Sequence, residues 1–139
     1  MNILMNIFTY VSEVLIIYIY FAGVFERKYN LTKTLLIGLL FFVVPFTLNQ
    51  LWNNPAVNVS AFFIFTVCYI FFTHRIKFLQ TVLQGVIVTA IMVATELVTT
   101  YTVSIIFGEE SFFAYRDNTV FFVIVSVLTK ISFLIGCKL

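Results

Sequence analysis

Three ionisable side chains stand inside apolar runs of this chain: Glu13, Glu96 and Lys130. With Ile, Leu, Val and Phe on either side, none of them can be an ordinary solvated charge. Taking a charge out of water is costly unless an opposite charge or hydrogen bonds offset the loss. Two acids and one base in such settings suggest a shared polar site. In it Glu96 pairs with Lys130, and Glu13 adds a second carboxyl that can hold a proton. Such a group either clamps helices in one packing or couples a ligand or signal to their rearrangement. Both readings stay open at the level of sequence.

The rest of the reactive inventory is thin. His74 stands beside Arg75 and is expected to be an ordinary loop residue rather than a proton carrier. Cys68 and Cys137 form no CxxC or metal-ligand spacing, and no disulfide framework follows from them. The sequon Asn58-Val59-Ser60 falls at the start of an apolar run and carries no weight. There is no phosphate loop, zinc motif, nucleophile elbow or paired catalytic carboxylate. No catalytic residue, cofactor or metal is expected, and the chain as it stands is not expected to be an enzyme.

These residues are positioned by elements that the composition defines. The chain has 139 residues, of which 62% are hydrophobic and 10% charged, and its mean hydropathy is +1.09. A soluble domain carries about 25% charged residues. A chain with 18 Phe among so few charges needs a bilayer as its solvent. The net charge of +2 is too small to suggest nucleic acid as a partner. The expected fold is all-α: a polytopic integral membrane protein, a single transmembrane domain over residues 1–139 built as a bundle of five transmembrane helices. The spans are expected at about 3–25, 34–52, 56–73, 78–107 and 118–137. The run after Met1 lacks a basic leader and is too long for a signal peptide, so it reads as an uncleaved first span.

The fourth span organises the rest. Thr81, Gly85, Thr89, Met92, Glu96, Thr99 and Val103 recur at spacings of three and four, which puts them on one helical face. That face should meet protein, because a carboxyl there is expensive against lipid. Ala90 and Ala94 add a small-xxx-small pair that would allow close approach of a neighbouring helix. Thr95, Thr99, Thr100 and Thr102 can satisfy their hydroxyls on the helix's own carbonyls.

Basic residues set the expected orientation. Arg27, Lys28 and Lys33 fill the first loop and Arg75 and Lys77 the third, while the second loop has none and Arg116 stands among three acids in the fourth. The positive-inside rule then places the N-terminus outside and the C-terminus inside. In that frame Glu13, Glu96 and Lys130 each lie about 16–18 Å from the outer surface at 1.5 Å per residue.

Three stretches resemble a known family. They are Tyr10 to Tyr20 followed by Phe25-Glu26-Arg27-Lys28, then Ala90 to Leu97, then Val125 to Lys130. Together they resemble the membrane region of sensor histidine kinases of the GHKL type from Firmicutes, a group that includes relatives of peptide-pheromone quorum-sensing receptors. The abundance of Ile, Phe, Asn and Tyr fits an AT-rich bacterial genome. The resemblance implies a multi-span sensor in the cell membrane, acting in a two-component system. Its lipid bilayer, a peptide or small-molecule signal and a second copy of the chain are the implied partners. It also implies a following phosphoacceptor helix and ATP-binding domain. Neither motif occurs here, so the chain is expected to be the sensor portion alone. A small multi-pass transporter subunit or permease-like component is the alternative reading.

Overall fold

A computed structural model describes residues 3–52, 54–108 and 119–139. They form helices α1 (Ile3–Val24), α2 (Leu31–Trp52), α3 (Pro55–Thr73), α4 (Phe78–Phe107) and α5 (Thr119–Lys138). No strand occurs among the described residues. Four of the helices, α1 to α4, are long and apolar enough to cross a membrane. A helix satisfies its own backbone groups, which is what an apolar solvent demands.

Local chemistry sets the helix ends. Asn30 accepts the Lys33 N–H at 3.1 Å and so caps α2, which starts at Leu31 rather than Thr34. Asn54 caps α3 in the same way, taking the Ala56 N–H at 2.9 Å, and Pro55 occupies the first turn, where it has no helical partner to lose. Gly108 stops α4 with φ at +81°, a left-handed conformation that glycine adopts without steric cost. Pro45 sits buried inside α2, and the helix continues through it. The segment carrying Glu109, Glu110, Arg116 and Asp117 lies outside the described residues, as does Asn118.

The chain divides into two compact units, Met1–Ala90 and Ile91–Leu139. In the first, α2 packs against both α1 and α3. Val14, Ile17 and Phe21 of α1 are buried, as are Phe62, Phe65, Tyr69 and Ile70 of α3. Gly38 brings α2 in close: a Cβ there would lie 3.1 Å from Tyr69 Cε2 and 3.2 Å from Val14 Cγ1. Gly85 does the same for the first half of α4, where a Cβ would meet Val67 Cγ2 at 2.5 Å. Close approach at small residues is how helices pack tightly without a hydrophobic drive from water. Near the start of α1, the Tyr10 ring packs on Phe42 and Phe46, and its hydroxyl donates to Asn58 Oδ1 at 3.1 Å. The asparagine of the sequon is thus a packing residue. Trp52, at the end of α2, is exposed.

The second unit pairs the later half of α4 with α5. Gly136 faces Ile91, whose Cγ2 would lie 2.8 Å from an added Cβ, and Lys130 faces Glu96. One helix descends as the other rises, so the two are antiparallel. Met92, Val103, Val125, Phe133 and Cys137 are buried.

Candidate functional site

The repeating face of α4 is the buried one. Thr81, Gly85, Thr89, Met92, Thr99 and Val103 all lose contact with the surroundings, and Glu96 lies on the same stripe, half-exposed. Ala90 and Ala94 point the other way: Ala94 and Ala90 are both exposed, so the close approaches are made by glycines and not by this alanine pair. Three threonine hydroxyls close on their own helix, with Thr95 donating to Met92 O at 2.9 Å, Thr99 to Thr95 O at 2.7 Å and Thr102 to Val98 O at 2.7 Å, whereas Thr89 Oγ1 is buried without a hydrogen-bond partner among the described residues. The bonds to the helix remove the need of those three hydroxyls for outside partners.

Glu96 and Lys130, both in the second unit, form an ion pair. Lys130 Nζ lies 3.9 Å from Glu96 Oε1, with side-chain exposures of 9% and 45%. The separation is an ion pair by distance and is too long for a hydrogen bond. The antiparallel course of α4 and α5 creates it, because Lys130 and Glu96 fall at facing heights. Glu13 is buried in the first unit, 7% exposed.

A second constellation was missed in the sequence. His74 is not an ordinary loop residue: it is 1% exposed. It sits at the end of α3, where the segment after α1 and the segment after α3 pair through their backbones. Arg27 and His74 form an antiparallel bridge. The Lys28 N–H donates to Thr73 O at 2.8 Å, and the Arg75 N–H donates to Glu26 O at 2.9 Å. The Lys28 ammonium adds a bond to Phe71 O at 2.8 Å. The imidazole lies against Phe21 and Tyr69, with ring centroids 6.0 and 6.1 Å away.

The proton on this imidazole follows the Thr73 hydroxyl. The Thr73 hydroxyl donates to Tyr69 O, so toward His74 Nδ1, 2.8 Å away, it can only accept. With the hydroxyl so oriented, Nδ1 is the ring nitrogen that donates to Thr73 Oγ1, and the opposite hydroxyl orientation would exchange the two roles. Burial first, then the nearby Arg27 and Lys28 charges, lower the His74 pKa to about 4. The ring is neutral at physiological pH. His74 Nε2, Arg27 Nη1, Tyr18 Oη and Tyr69 Oη are all buried without a hydrogen-bond partner among the described residues. No local pattern announces this cluster, because it depends on two segments far apart in the chain. The only signal was the repetition of a short basic loop after α1 and again after α3.

Beside this joint lies an open groove of about 670 Å³, formed by residues 22–25 at the end of α1 together with Glu26, Arg27, Tyr29 and Arg75. No group of three or more His, Cys, Asp or Glu side chains among the described residues could hold a metal ion.

Set against family models, curated proteins and solved structures, the chain matches none. What stands is the class that the fold defines: an all-helical protein with four helices able to span a membrane.

Proposed function

We propose that this chain is the membrane-embedded sensor portion of a signal-transducing histidine kinase, one that detects an extracellular or membrane-borne signal and relays it by helix rearrangement. In this reading α5 is a fifth span, the N-terminus is outside and the C-terminus inside, which would deliver a catalytic region to the side that holds ATP. The observation that carries the reading is the Lys130–Glu96 pair at 3.9 Å, held between two antiparallel apolar helices. Ionisable residues inside membrane helices are costly and tend to mark function. An ion pair with one partner half-exposed can re-form in a second packing, as a relay requires. The resemblance of Tyr10–Tyr20, Ala90–Leu97 and Val125–Lys130 to sensor kinases supports the same reading.

The test has two parts. The reading frame past Leu139 should encode a phosphoacceptor-histidine segment and an ATP-binding domain. In the full protein, Glu96→Gln should shift basal phosphorylation or abolish its response to conditioned medium. A stop codon beside genes for an ATPase or permease would instead favour a transporter subunit.

A further inference from the structure

The segments after α1 and α3, together with the first turn of α2, carry five cations, Arg27, Lys28, Lys33, Arg75 and Lys77, against one carboxylate, Glu26. Two of the cations are occupied within the protein. The Lys28 ammonium bonds Phe71 O and lies 5.4 Å from the centre of the Phe71 ring, and Lys33 lies 4.5 Å from that of Tyr29. Arg27 and Arg75 are different. They come from separate loops, they line the same groove, and neither makes an ion pair among the described residues. Arg27 Nη1 is a buried donor with no hydrogen-bond partner there.

The groove is built before any ligand arrives. The Arg27–His74 bridge and the bond from the Arg75 N–H to Glu26 O fix the two guanidinium-bearing residues in register through the backbone. A guanidinium presents a rigid fork of donors that matches the oxygens of a phosphate. The lining also includes the last turn of α1, where Ala22, Gly23 and Val24 are exposed and apolar. A cationic pair joined to an apolar helix end suits an amphiphile with an anionic head.

We infer that this groove binds the phosphodiester headgroup of an anionic membrane lipid. Arg27 and Arg75 hold the phosphate, and the acyl chains run along the last turn of α1. Glu26, on the same rim, accepts a hydrogen bond from a headgroup hydroxyl and disfavours more highly charged phosphates by repulsion. A free phosphate ion shares the first contact and lacks the second, so the lipid is the ligand the groove fits as a whole.

The test uses the complete purified chain in detergent micelles, with native mass spectrometry of retained lipid after exposure to equal amounts of phosphatidylglycerol, phosphatidylethanolamine and phosphatidylcholine. Phosphatidylglycerol adducts should dominate. Arg75→Gln should lower them about fivefold and Arg27→Gln/Arg75→Gln about twenty-five-fold, a factor near five for each basic group. Arg75→Gln is the decisive variant, because its side chain is exposed and its backbone bond to Glu26 survives the change. Lys138→Gln, on α5, should leave retention unchanged, and so should millimolar inorganic phosphate. Equal retention of the three lipids, or an undiminished adduct in Arg75→Gln, overturns the inference. Displacement by inorganic phosphate overturns it too, and assigns the groove to free phosphate.

Discussion

Removing one member of the Glu96–Lys130 pair should cost more than half of removing both. At 3.9 Å the two charges attract by about 4 kcal/mol if the effective dielectric is ~20. Desolvation consumes much of that. Lys130, 9% exposed, has left nearly all of its surroundings, while Glu96, 45% exposed, has left about half. A fully buried pair broken on one side costs about 3–5 kcal/mol. Half-exposure of one partner brings the expectation here down to about 2 kcal/mol for Lys130→Met, with a coupling of about 1–2 kcal/mol in the double variant Lys130→Met/Glu96→Gln. Methionine keeps an unbranched apolar stem out to Cε and loses the ammonium, with its charge and its donors. The measurement is a double-mutant cycle on unfolding by SDS in mixed micelles, followed by helical circular dichroism. Additivity of the two substitutions within about 0.5 kcal/mol would show that the residues lie near each other without interacting. Repeating the cycle with Glu13→Gln in place of Glu96→Gln separates the two carboxyls as counter-charges.

Overpacking provides the next test: Gly85→Ala should destabilise by about 1–3 kcal/mol in the same assay and Gly38→Ala by about 1 kcal/mol, because both added methyls meet side chains, whereas Gly23→Ala, with nothing within 4 Å, should be neutral or slightly stabilising. The His74 pKa, near 4 in the folded protein against 6.5 unfolded, is a depressed one, so the unfolded chain binds the proton more readily and stability should fall as pH drops from 6.5 toward 4. Unfolding titrations at several pH values should show that slope, and His74→Gln should remove most of it. For the proposed orientation, an impermeant maleimide applied to intact cells should label Asn54→Cys and spare Lys28→Cys; the reverse pattern would falsify the orientation.

The helices were legible because their apolar runs are long and their interruptions polar. The α4 stripe was legible because a period near 3.6 survives in Thr81, Gly85, Thr89 and Met92 whatever they pack against. The nearness of Glu96 and Lys130 followed from matched heights on consecutive antiparallel helices. Element ends were less legible. The Asn30 cap needed only its own side chain and could have been read three residues ahead of Lys33, yet the charged stretch around it resembled a loop. The burial of His74 was not legible at all. A histidine flanked by Arg75 and Lys77 looks solvated, and only the backbone pairing of Glu26–Lys28 with Thr73–Arg75 closes it off. Ala90 and Ala94 misled for the opposite reason: small residues permit contact without requiring it.

The backbone pairing of the two basic segments has a consequence for biosynthesis. Lys28 bonds to Phe71, 43 positions later, and Arg75 bonds back to Glu26, so the joint cannot close when α1 and α2 first leave the ribosome. Until α3 is complete, the end of α1 has no strand-like partner, and the phenyl ring of Phe21 has no imidazole to lie against. Closure of the joint therefore waits for Arg75, and so registers the arrival of the third helix before α4 and α5 are made. Because the bonds from the Lys28 and Arg75 amides run through peptide groups, most substitutions at Glu26 or Arg75 leave the joint intact, whereas one at Lys28 also loses the ammonium's bond to Phe71 O. Proline at Lys28 or Arg75 breaks the joint, since each of those amides is a donor in it. A nascent chain carrying either proline would reach full length with its third helix packed on α2 but without the backbone register that ties its end to the end of α1.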